Sequence, residues 1–465
     1  MHGDLRYDRR TMGNRFDKPT TDAGWARVAA VYQAMLDWGP VATETFYACL
    51  RGHGIAPTVH TAGEFYASNP VLVPGHIVAW MTADLNRFIT QRRAAVRDGT
   101  GLLALMPAAV RDDFASPDLA AVLWERMEIE PPLAALDAFL VDTPEGLVPR
   151  YVEWQTVGTY PTLARWVLAC AQRAWPPLVH ASPAATRGWD LATLAARLTA
   201  LYLEGIEDDP RQGVILDYQP REQKSHREFL AIQELTGGPA RGWGIIDPRE
   251  VVYRAPTGGG RARPSYRRAG ALVPIRRAYA RLVHSDIVGR LWPACTAEER
   301  QTLRRLFRDT TITWVSHPCH FYYGTKADFV AFHRAGLSPH VPETVLVTDD
   351  LLRELQRAGR DTVVDQVFKP ALGNSGQAVE ADPPLAQLEP GGLLQARLYP
   401  AAWHQTAFGA RVPEIRLMGL PDGKQLTGGA IYNRVMPADS FKSNASVVAA
   451  QGVPGTGEGF GFVVW

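Results

Sequence analysis

Apolar residues follow a helical spacing in the first part of the chain. In WARVAAVYQAMLDWG, SPDLAAVLWERM and PPLAALDAFLV they recur every three or four positions, which predicts amphipathic helices. Ser116 and Asp118 are residue types that begin helices. We therefore expect residues 1–145 to form a mostly helical N-terminal region.

The spacing changes to that of a strand at LVPRYVEWQTV, residues 147–157, where apolar and polar residues alternate. Helical and strand patterns then alternate along the chain. Strands are predicted by VIL in RQGVILDYQP and by GWGIIDPREVVYR, and helices by WDLATLAARLTALYLEGI and SHREFLAIQELTGG. This alternation is typical of an α/β lobe, which we place at residues 146–310.

Two helices of this lobe carry start signals. Ser225 and Glu228 have the spacing of a capping box, and Gly237 is a suitable stop residue. Thr296 and Glu299 repeat the capping-box spacing at the start of TAEERQTLRRLF. Both patterns predict that the serine or threonine hydroxyl binds the backbone of its own helix.

Residues 311–465 form the third region. TDDLLRELQRAG predicts a helix, and strands are predicted by DQVFKP, GLLQARLYP, EIRLMGL and LTGGAIYNRV. Glycine-rich stretches at 254–268, 373–376 and 451–461 are candidates for mobile loops. The arginines of the first loop could steer an anion, although a solvated basic loop explains them equally well.

Composition narrows the class of protein. A chain of 465 residues is expected to form two or three lobes, and its net charge of +1 argues against a dedicated nucleic-acid binder. There is no apolar run long enough to span a membrane, and the charged N-terminus does not resemble a secretory signal. The four cysteines are far apart, so we expect no disulfide framework and a reducing, cytoplasmic setting.

The stretch FKPALGNSGQAV, residues 368–379, has the composition of a phosphate-binding loop. Lys369 precedes a flexible segment formed by Gly373, Asn374, Ser375 and Gly376. Free backbone N–H groups beside a cation suit an anion. An ordinary exposed turn accounts for the same residues.

Three strand-like stretches carry further candidates. Glu153 and Gln155 are two residues apart, so they share a strand face and could offer oxygen ligands to Mg²⁺. Glu414 and Arg416 share a face in the same way. In LLQARLYP, the backbone near Gln395 and Ala396 could read an adenine edge. The alternatives are a solvent-facing polar strand, a surface ion pair and an ordinary edge strand.

Other familiar site motifs are missing from the sequence. HPCH, residues 317–320, lacks a second Cys or His pair at a zinc-like spacing, so a local structural role is expected. There is no nucleophile elbow, Walker A loop or dinucleotide fingerprint.

In this order, the stretches VEWQT, YGTKADF, FKPALGNSGQAV, LLQARLYP, PEIRLMG and GGAIYNRVMPADSFKSNASVVAAQG resemble the ATP-grasp ligases. The similarity is to the circularly permuted kind represented by eukaryotic glutathione synthetase, and it covers roughly residues 137–450. It implies an ATP-grasp fold with a helical N-terminal region and an α/β substrate lobe, the nucleotide being bound by residues 311–465. It also implies a homodimer, since relatives of this kind are usually dimers.

The resemblance implies a role for each matching residue. Glu153, Gln155 and Glu414 would hold Mg²⁺, and Glu414 would also contact the nucleotide. The phosphates would be bound by Lys326, Lys369 and the loop Gly373, Asn374, Ser375 and Gly376. Gln395 and Ala396 would form the adenine hinge, and Arg434 or Lys442 would reach the nucleotide, with Arg434 stabilising the transferred phosphoryl group. Arg276 or Arg277 would clamp a substrate carboxylate.

Some positions depart from the family pattern. The loop position that carries a metal-binding Glu falls on Gly373 or Asn374, the hinge Glu is replaced by Ala396, and the substrate Arg expected near Leu136 is absent. These departures suggest that the nucleotide chemistry is kept while the amino-acid substrates differ from those of glutathione synthesis.

The function implied is an ATP- and Mg²⁺-dependent carboxylate–amine ligase. It would join small amino-acid or peptide substrates, γ-glutamyl ones among them, through an acyl phosphate with release of ADP and phosphate. Two alternatives stay open: a phosphotransferase on the same scaffold, and a nucleotide-binding module without catalysis. Nucleic-acid and membrane partners are not expected.

Overall fold

A computed structural model describes most of the chain. The described residues are 25–26, 30, 39–54, 71–97, 122–123, 125–144, 146–176, 191–223, 225–255, 260–371, 379–406, 409–423, 425–436 and 459–464. In these ranges the protein is mixed α/β, with four sheets and helices around them. Among the helices in these ranges, none is both long enough and apolar enough to cross a bilayer.

The longer helices are numbered here in chain order. They are α1 (Gly39–Gly52), α2 (Gly75–Arg97), α3 (Pro161–Ala174), α4 (Leu191–Leu203), α5 (His226–Leu235), α6 (Ala297–Arg308), α7 (Asp328–Arg334) and α8 (Asp349–Arg357). Short helical turns lie at Gly238–Arg241, His284–Asp286 and Trp292–Ala294, with a π segment at Ile287–Leu291. Single 3₁₀ turns occur at Pro210–Gln212, Pro248–Glu250, Pro318–Tyr322 and Leu385–Gln387.

The largest sheet joins distant parts of the chain. Its strands are β1 (Val71–Leu72), β2 (Ala134–Thr143), β3 (Gly146–Gln155), β15 (His404–Thr406), β16 (Gly409–Asp422), β17 (Gln425–Met436) and β18 (Gly459–Val464). The order is β1-β18-β17-β16-β2-β3, with β15 paired to β16. Only β1 and β18 pair in parallel; the other pairs are antiparallel.

A second sheet is entirely parallel. It contains β4 (Gly213–Leu216), β5 (Gly244–Ile246), β9 (Arg277–Ala280) and β10 (Thr313–Ser316), in the order β10-β9-β4-β5. The first and third of these strands in the chain are therefore neighbours, and the strand order reverses between them. In open α/β sheets, ligands bind at the carboxyl ends of the strands at such a reversal.

Two smaller antiparallel sheets complete the strands. One contains β11 (Thr344–Leu346), β12 (Gln366–Lys369), β13 (Glu380–Ala381) and β14 (Leu393–Ala396), in the order β11-β14-β12-β13. The other is formed by β6 (Val252–Arg254), β7 (Arg263–Arg268) and β8 (Ala271–Pro274). The predicted basic loop at 254–268 is therefore partly a strand.

The main core lies where α2 packs on the large sheet. Phe88 of α2 stacks on Phe332 of α7 with ring centroids 4.3 Å apart, and Trp154 packs edge-on against both rings. Ile415 belongs to the same buried cluster. Burying aromatic side chains of this size contributes about 1.5–3 kcal/mol each, so this packing fixes β3 and β16 relative to α7.

The helix predicted at PPLAALDAFLV is wrong, because the segment is strand β2. Its first seven residues, Ala134–Leu140, are all buried. A strand covered on both faces has a continuous apolar run, and spacing alone does not separate such a run from a helix. β2 ends at Thr143 and β3 begins at Gly146, so the region boundary drawn at residue 145 falls between two strands that pair in the large sheet.

One of the two predicted capping boxes is confirmed. The Thr296 hydroxyl accepts from the Glu299 N–H, and the Glu299 carboxylate accepts from the Thr296 N–H. Ser225 makes no such cap on α5. Glu228 is fully buried and instead accepts from the N–H groups of Thr162 and Leu163, at the start of α3.

One disulfide is present, although no disulfide framework was expected. Cys49 of α1 and Cys170 of α3 are bonded, with Cα atoms 5.4 Å apart. Their sequence separation of 121 positions gave no hint of this contact, since cysteine spacing predicts disulfides only in short frameworks. Cys295 and Cys319 are free and buried.

Candidate active site

Polar side chains gather on one face of the large sheet where β3, β2 and β16 run side by side. Asp137 of β2 is in register with Glu153 on one side and with Arg416 on the other. Because side chains alternate between faces along a strand, Gln155 and Glu414 fall on the same face as these three. These five side chains thus form a cluster of carboxylate, amide and guanidinium groups across three strands.

Asp137 and Arg416 form a buried two-point ion pair at the centre of the cluster. Arg416 Nε lies 2.7 Å from Asp137 Oδ1, and Nη2 lies 2.6 Å from Oδ2. Burial alone would lower the pKa of Arg416, but Asp137, Glu153 and Glu414 raise it above its ordinary value. The guanidinium is therefore a permanent positive charge surrounded by three carboxylates.

The side chain of Gln155 faces this guanidinium. The amide orientation that satisfies hydrogen bonding places its oxygen 2.8 Å from both Nη1 and Nη2 of Arg416. The oxygen predicted to bind Mg²⁺ is thus held by arginine in this arrangement. Glu153 and Glu414 are the two carboxylates of the predicted metal set.

Lys326 meets Glu153 at the edge of the cluster. Its Nζ lies 3.2 Å from Glu153 Oε1, although 173 residues separate them in the chain. The lysine side chain is 7% exposed and that of Glu153 is 22% exposed. A partly exposed carboxylate beside an ammonium group can release that group and bind a cation instead. The ammonium group can then bind an anion.

Lys369 lies deeper. Its Nζ donates to the Val152 carbonyl at 2.9 Å and to Gln395 Oε1 at 2.6 Å, and the Gln395 amide donates to Thr344 Oγ1 at 3.1 Å. Burial, and secondly the charge of Lys326, lower the pKa of Lys369 to about 8. Two lysines close enough to repel mark a place where a bound anion is stabilised.

A buried network fixes the segment that carries Lys326. Asp328 Oδ2 accepts from the Thr325 N–H at 2.8 Å and from Trp154 Nε1 at 3.0 Å. Arg92 of α2 pairs with Asp328 Oδ1 at 3.0 Å and donates to the Tyr323 carbonyl at 3.0 Å. Our sequence reasoning missed Asp328 and Arg92, although the spacing of Thr325 and Asp328 is a helix-start signal.

Gly324 lets this segment approach β3 closely. A Cβ at this position would lie 2.9 Å from the Gln155 Cα and 3.0 Å from the Thr156 N, both rigid backbone atoms. We expect Gly324→Ala to destabilise the fold by about 1–3 kcal/mol, as overpacked sites do, measured by urea unfolding. Gly289→Ala is the matched control, because nothing lies within 4 Å of its Cβ position. Equal stability of the two variants would contradict the close approach.

A cleft opens beside these residues. Its lining residues come from the end of β3, the Lys326 segment, the turn after β9 and the residue after Lys369-Pro370. They are Glu153, Gln155, Thr156, Val157, Val283, Phe321, Gly324, Thr325, Lys326 and Ala371. The cleft therefore joins the polar cluster to the carboxyl end of the parallel sheet.

Asp217 and Arg281 lie at that end of the parallel sheet. Asp217 directly follows β4 and Arg281 directly follows β9, the two strands between which the order reverses. Arg281 Nη1 is 3.5 Å from Asp217 Oδ2 and 2.9 Å from Asp286 Oδ2. Burial raises the pKa of Asp217 to about 7, against the lowering effect of Arg281. Our sequence reasoning missed both residues, because only strand pairing makes them neighbours.

The predicted carboxylate clamp lies at the other end of β9. Arg277 is its first residue, with the guanidinium donating to the Glu204 carbonyl at 3.0 Å and to Glu204 Oε2 at 2.9 Å, so it binds the end of α4. Arg276 precedes it and is exposed. The structure does not bring either residue to the end of the strand that leads to the cleft.

The remaining predicted site residues are Ala396, Arg434, Lys442 and those of the glycine-rich loop. The Ala396 N–H donates to the Glu343 carbonyl at 2.8 Å, so it is used inside the sheet. Arg434 is the register partner of Glu414 on β17. Gly373, Asn374, Ser375, Gly376 and Lys442 lie outside the described residues.

HPCH has the structural role expected of it. The His317 ring binds the Cys319 N–H and the Phe307 carbonyl, each at 3.0 Å. The His320 ring binds the His317 N–H at 3.2 Å and the Ile129 carbonyl at 3.0 Å. With all four ring nitrogens used, the motif has none left for a metal.

The chain is similar to solved protein structures. No protein-family model matches the sequence, and no curated protein matches it. Among solved structures, the chain is similar to a glutathione synthetase-like effector from Globodera pallida in its apo form, with 13% identity and a TM-score of 0.48. The match covers 87% of this chain and 95% of that one. Because these values are low, the function proposed below depends on the site's own residues.

Proposed function

We propose that the protein is an ATP-dependent carboxylate–amine ligase of the ATP-grasp type. The observation that carries this proposal is the convergence of Lys326, Lys369, Glu153 and Glu414 in one polar cluster, from segments far apart in the chain. Glu153 and Lys326 of this cluster line the cleft. Lysines bind phosphate oxygens, and carboxylates hold the Mg²⁺ that accompanies a nucleotide. In this reading, the sheet of β11–β14 and the large sheet enclose the nucleotide.

Each residue then has a physical role. Lys326 and Lys369 neutralise phosphate charge, and Gln395 keeps the Lys369 ammonium directed through its 2.6 Å hydrogen bond. Glu153 and Glu414 offer hard oxygen ligands, so the chain fits a magnesium nucleotide, whose γ-phosphoryl group activates a carboxylate. Asp137 holds the Arg416 guanidinium between Glu153 and Glu414. The positive charge of the guanidinium reduces the repulsion between these two carboxylates. Catalysis of this kind is mainly positioning and charge stabilisation.

The parallel sheet supplies the proposed place for the other substrate. Arg281 can bind a carboxylate, and Asp217 and Asp286 beside it can bind an ammonium group. The two kinds of charge together favour an amino-acid or small-peptide substrate. Arg281 therefore takes the role that we had expected of Arg276 or Arg277.

The test is ³¹P NMR of the protein with Mg²⁺-ATP and a pool of amino acids and dipeptides. ADP and phosphate formed only when an acid and an amine are both present would support the ligase. A phosphorylated product would favour a phosphotransferase, and AMP with pyrophosphate would overturn the acyl-phosphate route. Nucleotide binding without turnover on any member of the pool would favour a binding module.

The lowered pKa of Lys369 makes nucleotide affinity depend on pH. Phosphate binds the ammonium form, so the free protein must take up a proton to bind ATP once the pH exceeds the lysine pKa of about 8. We expect ATP affinity to fall up to tenfold per pH unit between about pH 8 and about pH 9.5. Calorimetric titration in two buffers of different ionisation enthalpy measures both the affinity and the proton uptake.

Variants separate Lys369 from other titrating groups. Lys369→Met should bind ATP more weakly but without this pH slope. Lys326→Met should also bind more weakly but keep the slope, moved to higher pH because the charge of Lys326 no longer lowers the pKa of Lys369. A wild-type affinity that is constant over the same pH range would contradict the assignment.

A further inference from the structure

A second cluster of ligand atoms lies where α1 packs on α3. Cys49 lies in the last turn of α1, Cys170 lies on α3, and their sulfurs are bonded. His53 follows Cys49 by four residues, one helical turn. The sulfur atoms of the two cysteines and a ring nitrogen of His53 all lie within 4.8 Å of one another.

The His53 ring is oriented by packing rather than by hydrogen bonds. It stacks on Trp166 of α3, with centroids 4.8 Å apart and planes 22° apart. Within the described ranges, neither ring nitrogen has a hydrogen-bond partner. Cys170 is fully buried, whereas Cys49 and His53 are partly exposed. One side of the cluster therefore faces the core and the other is open to solvent.

We propose that, when the disulfide is reduced, Cys49, Cys170 and His53 bind one Zn²⁺ ion. Two thiol molecules of a reductant give up two electrons and two protons, form their own disulfide and leave Cys49 and Cys170 as thiols. Zn²⁺ then displaces the two thiol protons and binds both thiolates and the neutral imidazole. The α1–α3 contact can therefore be cross-linked by the disulfide or by Zn²⁺ but not by both, because each cross-link uses the same two sulfurs.

The donor set identifies the class of metal. Two thiolates and one imidazole suit Zn²⁺ and not Mg²⁺ or Ca²⁺, which prefer oxygen ligands. Tetrahedral zinc holds two sulfurs roughly 3.8 Å apart, given Zn–S bonds of about 2.3 Å. Side-chain rotation at Cys49 and Cys170 can supply this separation without moving the helices, since their Cα atoms are 5.4 Å apart. The fourth position is on the open side, where water completes the coordination.

This site is independent of the proposed ligase function. Its residues do not line the cleft at Glu153 and Lys326. Among the described residues, this is the group of three His, Cys, Asp or Glu side chains whose ligand atoms all lie within 4.8 Å of one another. Success or failure of the nucleotide experiments therefore does not bear on it.

Cobalt binding tests the proposal on the full chain. The protein is reduced with a phosphine, freed of metal and titrated with Co²⁺, whose thiolate complexes absorb in the near ultraviolet and visible regions. We expect one Co²⁺ per chain with thiolate charge-transfer and tetrahedral bands, displaced by one equivalent of Zn²⁺. The oxidised protein should show neither band.

Variants assign the ligands. Cys49→Ser and Cys170→Ser should each lose the charge-transfer band, and His53→Ala should weaken Zn²⁺ binding at least tenfold. Cys295→Ser and Cys319→Ser should bind as the wild type does, because these cysteines are outside the cluster. His53→Ala keeps both cysteines, so its disulfide, mapped by mass spectrometry under oxidising conditions, shows that α1 and α3 still pack.

Three results would overturn the proposal. They are the absence of thiolate bands in the reduced wild type, bands that persist in Cys170→Ser, and unchanged Zn²⁺ affinity in a folded His53→Ala. In each case the pair would be a structural disulfide only.

Discussion

Glu153→Gln is expected to lower ATP turnover by about 10²–10³-fold, the cost of removing one stabilising charge from a phosphoryl-transfer site. The substitution keeps the size of the side chain and removes only its charge. That charge faces the cleft, 3.2 Å from Lys326, where it is proposed to hold the metal of the nucleotide. Turnover is measured by release of ADP with the substrate pair found by NMR.

The same variant can be tested by binding alone. Titration of ATP with and without Mg²⁺ should show that the metal strengthens wild-type binding much more than it strengthens binding to Glu153→Gln. Glu125→Gln is the matched control, since Glu125 also pairs with a cation, Arg308, but on the surface. Wild-type turnover in Glu153→Gln would remove this residue from the proposed site.

Arg416→Met is expected to destabilise the protein by about 3–5 kcal/mol, because it leaves the Asp137 carboxylate buried without its partner. Asp137 and Arg416 are 1% and 5% exposed and share two short hydrogen bonds. Urea unfolding measures the loss. Arg353→Met, which breaks an exposed pair with Asp350, should change the free energy of unfolding by less than about 1 kcal/mol.

A second substitution distinguishes charge from packing. Adding Asp137→Asn to Arg416→Met removes the stranded charge, so the double variant should recover much of the lost stability. It should not recover turnover, since Glu153 and Glu414 would no longer have a cation between them. If the double variant is as unstable as Arg416→Met, the stabilisation comes from packing of the arginine stem and the ion-pair argument fails.

Local sequence patterns correctly predicted the elements whose structure depends only on neighbouring residues in the chain. Strand β3 and the cap of α6 follow from alternation and from the Thr296–Glu299 pair. Strand β2 was missed because burial on both faces removes the alternation. Glu228 was assigned to the wrong helix, because its partners at Thr162 and Leu163 come from another part of the chain.

Individual residues of the candidate site were predictable from the sequence, but most of their spatial arrangement was not. The order of the motifs suggested that Lys326 and Glu153 serve one site, and the structure places them together. No local pattern marks Arg281 as a neighbour of Asp217, since it acquires that place from the strand order of the parallel sheet. The same holds for Arg92, which reaches Asp328 across 236 residues (328 − 92) of sequence.

The pairing of β2 with β16 has a consequence for synthesis of the chain. Asp137 and Arg416 are 279 residues apart, and ribosomes add about 5–20 residues per second. The β2 edge therefore leaves the ribosome on the order of 15–60 s before β16 exists to cover it. During that interval the parallel sheet, complete by Ser316, can already fold. Nascent chains should consequently depend on a holding chaperone until β16 emerges, and this dependence should end abruptly there.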